Sequence, residues 1–260
     1  MSEQDLLWEV RDGIGWITFN RPAARNALTF AMYERLAELA IAAGEDPAIR
    51  ALVLRGAGEK AFAAGTDISQ FRAFATPEDA LAYESRLDRV LEALERCPKP
   101  TIAAIAGACT GGGAGIAAAC DMRIAARSAR FGFPVARTLG NCLSMANYAR
   151  LAALIGPARV TEILFTARLI EAEEAKTIGL VSELLEDAAA LEARAAELAA
   201  LVASHAPLTL RATKEALRRL RPHLTTEEGK DLIVMCYMSQ DFREGMEAFL
   251  GKRPPVWQGR

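Results

Sequence analysis

Histidine is scarce in this chain, and its cysteines are unpaired in pattern. Only His205 and His223 are present, and the five cysteines, Cys97, Cys109, Cys120, Cys142 and Cys236, are odd in number and form no C-x-x-C pair. No recognisable metal-ligand cluster follows from such a set, and reduced thiols in a cytoplasm are the expectation. Charge is close to balanced, with a formal net of −2, so nothing draws the chain as a whole to nucleic acid or to anionic membranes. Any contact with phosphate must be local. Met1-Ser2-Glu3-Gln4-Asp5 is acidic and lacks the basic end and apolar run of a secretory signal, so export is not expected. Charged residues are missing from Thr101 to Cys120, but Gly107, Gly111, Gly112, Gly113, Gly115 and many alanines make that run only weakly hydrophobic. A buried strand and helix is expected there, not a membrane span.

What is present is ample apolar sequence, 52% over 260 residues, enough for a substantial core. Leu6 to Phe19 alternates around Asp12-Gly13 and predicts a β-hairpin. Thr29 can cap a helix carrying Met32, Leu36, Leu39 and Ala43 at helical spacing, ended by Gly44. Ala51–Arg55 and Lys60–Ala63 read as strands, and Thr76-Pro77-Glu78-Asp79 starts a helix that runs to about Arg96. Thr101–Ala106 is a small-residue strand, a helix follows from about Gly112 to Cys120, and Met122–Ala125 and Ala129–Phe133 are further strands. The rhythm is strand, strand, helix, which is an α/β architecture. Beyond Gly156-Pro157 helices dominate, at 158–165, 171–178, 187–204, 208–220, 225–239 and 242–250, interrupted by a strand at Leu180–Leu184. These spans divide the chain into a core, residues 1–200, and a helical C-terminal appendage, residues 201–260.

Two glycine-centred stretches carry the chemistry. Ala63-Ala64-Gly65-Thr66-Asp67 and Thr110-Gly111-Gly112-Gly113-Ala114-Gly115 each read as the end of a strand turning into a helix. Unpaired backbone N–H groups at such turns can hold a developing negative oxygen. A residue larger than glycine at Gly112 would crowd a ligand away from the backbone.

The order Asn20-Arg21-Pro22 to Asn26-Ala27-Leu28, then Ala61 to Ile68, then Gly107 to Gly115 and Cys120-Asp121, resembles the enoyl-CoA hydratase/isomerase family, the crotonase superfamily. The tail from Asp241-Phe242-Arg243-Glu244-Gly245 to Arg253-Pro254 is also similar to that family's. The resemblance implies a crotonase-like spiral of ββα units, an acyl-CoA thioester as substrate with CoA as part of it and no separate cofactor, and homotrimers usually paired into homohexamers. It implies that the backbone N–H groups of Thr66 and Gly112 form an oxyanion hole for the thioester carbonyl. It further implies that Ala24, Arg25, Ala64, Asp67, Ile68 and Lys252 lie along CoA, although Arg25 can equally be a solvated loop arginine, and Asp67 is read as a helix cap in preference to a catalytic acid.

Two departures from the family stand out. Hydratases of the family place a glutamate shortly after the glycine run and another after a proline about twenty residues later. Those places read Gly115 and Val135 here, and neither can move a proton. Isomerase, decarboxylase or other lyase chemistry is therefore as well supported as hydration, and a non-catalytic CoA-thioester binder is the alternative. Polar candidates near the site are Arg137, Asn141, Cys142 and Ser144, where the alignment with the family is one residue out. Cys142 needs a thiolate-favouring neighbour such as Arg137 to act, and is otherwise a buried thiol. Glu84 either approaches the acyl pocket from another wall or is a solvated helix glutamate beside Arg86 and Asp88. Cys109 and Thr110 are expected to line the pocket.

Overall fold

The fold comes from a computed structural model that describes residues 4–222 and 224–260; the first three residues of the acidic N-terminus and His223 lie outside the described residues. The hairpin is formed by β1 (Leu6–Arg11) and β2 (Ile14–Phe19), paired antiparallel around Asp12 and Gly13. Thr29 caps α1 (Phe30–Glu45), its hydroxyl accepting from the Met32 amide. Gly44 does not end that helix: the chain continues helical to Glu45, and the glycine instead lets Pro98 approach, since a Cβ there would lie 2.8 Å from the proline ring.

Strand pairs and helices then alternate. β3 (Ala51–Gly56) and β4 (Ala61–Ala63) precede α2 (Pro77–Arg96), which opens on a reciprocal cap between Thr76 and Asp79. β5 (Thr101–Ile105) and β6 (Ala108–Thr110) precede α3 (Gly112–Ala119), so the uncharged run forms two strands and a helix. β7 (Met122–Ala126) and β8 (Arg130–Gly132) precede α4 (Val135–Thr138), α5 (Met145–Ile155) and α6 (Pro157–Thr166). Then come β9 (Ile170–Glu171), α7 (Ala172–Thr177), β10 (Glu183–Leu185), α8 (Ala188–Ala203) and α9 (Pro207–Leu220). A 3-10 turn at Thr226–Gly229 leads to α10 (Lys230–Tyr237) and α11 (Gln240–Leu250).

Each ββα unit gives its first strand to one sheet and its second to another. The larger sheet runs β1-β2-β3-β5-β7-β10 and the smaller β4-β6-β8-β9. Alternation along the larger sheet sorts its side chains onto two faces. Leu52, Leu54, Ala103 and Ile105 join the main core, whereas Ala51, Val53, Ile102 and Ala104 pack with Leu191, Ala195 and Leu198 of α8. In the smaller sheet β4, β6 and β8 are parallel, so the turns that leave their C-terminal ends lie side by side. No helix among the described residues is long and apolar enough to cross a membrane. β10 begins three residues later than expected: Leu180 and Val181 are buried in the core, and the ladder with β7 pairs Glu183 with Ile124.

Candidate active site

A cavity of about 490 Å³ opens at the C-terminal ends of β4, β6 and β8. The segments leaving those strands line it: Ala64 to Ser69, Thr110 to Gly112, and Phe133 to Val135. Gly65 takes φ +104° and Gly111 φ +53°, backbone values that side chains rarely tolerate. The two turns touch, because a Cβ on Gly111 would lie 3.5 Å from the Gly65 Cα.

Thr66 is held in place by a parallel bridge to Leu28. Leu28 N–H donates to Gly65 O and Asp67 N–H to Leu28 O, both at 2.8 Å, which turns the Thr66 N–H away from Leu28. Gly112 is the first residue of α3, where no intrahelical acceptor exists. Among the described residues neither amide donates to a protein acceptor, while the flanking Asp67 and Gly111 amides both do. Gly112 also needs its missing side chain: a Cβ there would lie 1.8 Å from the Tyr33 hydroxyl and 3.3 Å from Thr66 Oγ1. Beneath the two turns the Thr66 hydroxyl joins Tyr33 and Tyr83, each at 2.8 Å, in a buried hydrogen-bonded trio.

The loop before α1 forms one wall. Arg25 and Asn26 both adopt left-handed backbone, and buried Asn26 reaches across to Ala61 O at 2.7 Å, so Arg25 O can receive the Ala64 amide at 3.1 Å. Ala24 and Arg25 line the cavity, as do Ala64, Asp67 and Ile68. Asp67 caps the following 3-10 turn through the Ser69 amide and pairs with Arg21 at 3.0 Å. Lys252 sits beyond α11 with left-handed backbone, exposed and away from the cavity lining.

Gly115 and Val135 line the cavity together with Leu87, Phe133, Leu139 and Leu143, and neither Gly115 nor Val135 carries an ionisable side chain. The nearest atoms to a Cβ on Gly115 would be those of Leu91 at 3.5 Å and Asn147 Oδ1 at 3.7 Å. Arg137 is exposed on α4 and does not reach the cavity. Ser144 is buried as the cap of α5 and donates to Asp88 Oδ1 at 2.6 Å, so it too stands behind the lining. Cys109 faces the core while its neighbours Ala108 and Thr110 face the cavity, as alternation along β6 requires. Cys142 lines the cavity, but its neighbour is Cys236 and not Arg137; that contact and burial push the thiol up, away from the thiolate.

Glu84 is not a solvated helix glutamate. It lies on the inner face of α2 with Ala80, Tyr83, Leu87 and Leu91, is 2% exposed, and lines the cavity. Burial pushes its carboxyl up to about 8; the Tyr237 hydrogen bond works against this and the Asp88 charge with it. Tyr237 donates to Oε1 at 2.5 Å and accepts from Asn141 Nδ2 at 3.0 Å. Tyr237 escaped the sequence analysis because nothing in the local pattern of α10 separates it from ordinary core.

Sequence and fold both match known proteins. A family model described as enoyl-CoA hydratase/isomerase matches residues 9–260. The short-chain-enoyl-CoA hydratase of Clostridium acetobutylicum is 34% identical over 259 residues, 97% of each chain. An enoyl-CoA hydratase/carnitine racemase structure from Magnetospirillum magneticum superposes with a TM-score of 0.80 at 36% identity, covering 100% of this chain and 97% of the other. A methylmalonyl-CoA decarboxylase in complex with 2-nitronate-propionyl-CoA gives a TM-score of 0.88 at 29% identity, with 99% of each chain covered. The chain belongs to the enoyl-CoA hydratase/isomerase family, with the crotonase fold.

Proposed function

We propose that this protein is an acyl-CoA lyase or isomerase that stabilises a thioester enolate, and that it does not add water by the two-carboxylate route. The observation that carries this reading is the pairing of two unengaged amides, on Thr66 and Gly112, with an apolar wall at Gly115 and Val135 in one cavity. As an enolate forms, the thioester oxygen gains negative charge, and each preorganised donor is worth roughly 10²–10³ in rate. With glycine and valine at those two positions, the wall lacks the paired carboxylates that would activate and orient a water molecule between them. Several relatives are named as hydratases, and one structural neighbour is a methylmalonyl-CoA decarboxylase in complex with 2-nitronate-propionyl-CoA. In this reading CoA lies along Ala24, Arg25, Ala64, Asp67 and Ile68, with Lys252 reaching it within a homotrimer or homohexamer, and no cofactor beyond the substrate takes part.

The test is turnover across 2-enoyl-, 3-enoyl- and malonyl-type CoA thioesters. Turnover of a 3-enoyl or malonyl-type thioester, with hydration of the 2-enoyl member slower by about two orders of magnitude or more, is the expected result. Hydration as the fastest reaction sinks the proposal, and tight binding without any turnover would make the protein a thioester carrier.

A further inference from the structure

Glu84 is the buried carboxyl of the cavity lining; Asp67, the other acid there, is half-buried and paired with Arg21, and Asp88 stands near Glu84 on α2. Two buried oxygens in that lining, Glu84 Oε2 and Asn141 Oδ1, have no hydrogen-bond partner. Buried polar atoms are rarely left unmatched without a functional reason. Both belong to residues tied to one hydroxyl: Tyr237 donates its only proton to Glu84 Oε1 and accepts from Asn141. That arrangement engages Oε1 and leaves Oε2, itself buried, as the oxygen of this cavity-lining residue without a side-chain hydrogen bond.

We propose that Glu84 is the proton-transfer group of this site, with Tyr237 and Asn141 as its positioning residues. The inference rests on reading the cavity as an acyl-thioester site. In the step that forms the enolate, Glu84 Oε2 takes the proton on C2 of the bound thioester. The C–H bonding pair becomes the enolate C=C, and the carbonyl π pair moves onto the oxygen facing the Thr66 and Gly112 amides. In the reverse step the enolate carbon takes the proton from Oε2–H, and the O–H pair stays on the carboxylate.

The surroundings suit a group that changes charge near neutrality. Facing Glu84 are Asp88 and Tyr83 on α2, Tyr33 on α1, Cys142 before α5, Tyr148 on α5 and Tyr237 on α10. None of these is a cation. Burial therefore prevails and the acid is held protonated through neutral pH, ready to protonate an enolate left by a departing group.

Exchange of the C2 hydrogens of butyryl-CoA in D₂O isolates this step, because a saturated thioester has nothing to eliminate or hydrate. The protein is expected to catalyse exchange at a rate that rises with pH through about 8, where Glu84 becomes the carboxylate. Glu84→Gln should lower the rate by about 10²-fold or more with an unchanged butyryl-CoA Kd. Tyr237→Phe removes a bond that favours the carboxylate, so exchange should persist with its pH midpoint moved upward, which a merely structural role for Tyr237 would not produce. Exchange by Glu84→Gln at the unsubstituted rate, or binding without exchange by the unsubstituted protein, overturns the assignment and leaves the oxyanion reading standing. Failure of the unsubstituted protein to bind butyryl-CoA overturns the reading of the cavity, and this assignment with it.

Discussion

At the scale of single residues the site is a matter of what each position cannot hold. Gly112 has no room for a methyl group, since a Cβ would sit 1.8 Å from the Tyr33 hydroxyl on a fully buried ring. Gly112→Ala is expected to lower thioester turnover by roughly 10²-fold, because the amide must move off its aim, and to destabilise the fold by about 1–3 kcal/mol. Adding Tyr33→Phe should return part of that stability, and a double-mutant cycle by urea unfolding reads the coupling. Two independent, additive losses would contradict the close contact. Glu84 makes a separate claim on pH. Its acid is held protonated in the folded protein up to about 8, while the unfolded chain ionises near 4.5, so the native state binds the extra proton in that window. Stability must then fall as pH rises from about 4.5 to about 8, by an amount on the order of a few kcal/mol, and level off above. Glu84→Gln should lose this slope, so thermal unfolding of the variant and of the unsubstituted protein should diverge at pH 8 and converge toward pH 5.

Elements with strong end signals were legible and the links between them were not. Thr29 and Thr76 with Pro77 announce helices whose observed starts follow at once, and the β-hairpin follows from alternation around Asp12-Gly13, whereas Ser239, expected to close one helix, instead caps the next. α5 carried a cap at Ser144 but no clean apolar stripe, because buried Asn147 and Arg150 stand where apolar residues would be expected. Arg150 is accommodated there by a bidentate pair with Glu95 of α2, a partner 55 residues distant that no local pattern contains. The two glycine turns could be read from sequence because turn chemistry is local, and the family resemblance singled out the amides of Thr66 and Gly112 within them. The network beneath them could not, since Tyr33, Thr66 and Tyr83 come from α1, the turn after β4, and α2. Thr66→Val tests that network: it keeps the amide and the shape but removes the hydroxyl both buried tyrosines bond, leaving them only each other. A loss of about 2–4 kcal/mol in urea unfolding is expected, with Thr66→Ser largely retaining stability. If Thr66→Val unfolds like the unsubstituted protein, the trio contributes nothing to the fold.

Across the whole molecule the C-terminal helices divide into those that complete the cavity and one that covers nothing. α11 supplies Phe249 and Leu250 to the lining and α10 supplies Tyr237, which bonds the lining residue Glu84, so the far end of the chain closes a site begun near its start. α9 is different. None of its residues is buried, although it is markedly two-sided: Lys214 reaches back to Asp121 at 2.8 Å while Leu217 and Leu220, one turn apart, are 64% and 81% exposed. Leaving such side chains in water forgoes roughly 1.5–3 kcal/mol each relative to burial. We propose that these exposed leucines pack against a second copy of this chain, as a trimer would provide. The expectation is that the protein sediments as a multiple of its chain mass and that Leu217→Asp with Leu220→Asp shifts it toward the single chain. Because the cavity lining named above comes from one chain, that variant should keep a measurable, weakened affinity for the thioester. An unsubstituted protein that sediments as a single chain would remove the interface. A dissociated variant that binds CoA thioesters as tightly as the assembly would instead show that Lys252 and its surroundings serve only their own subunit.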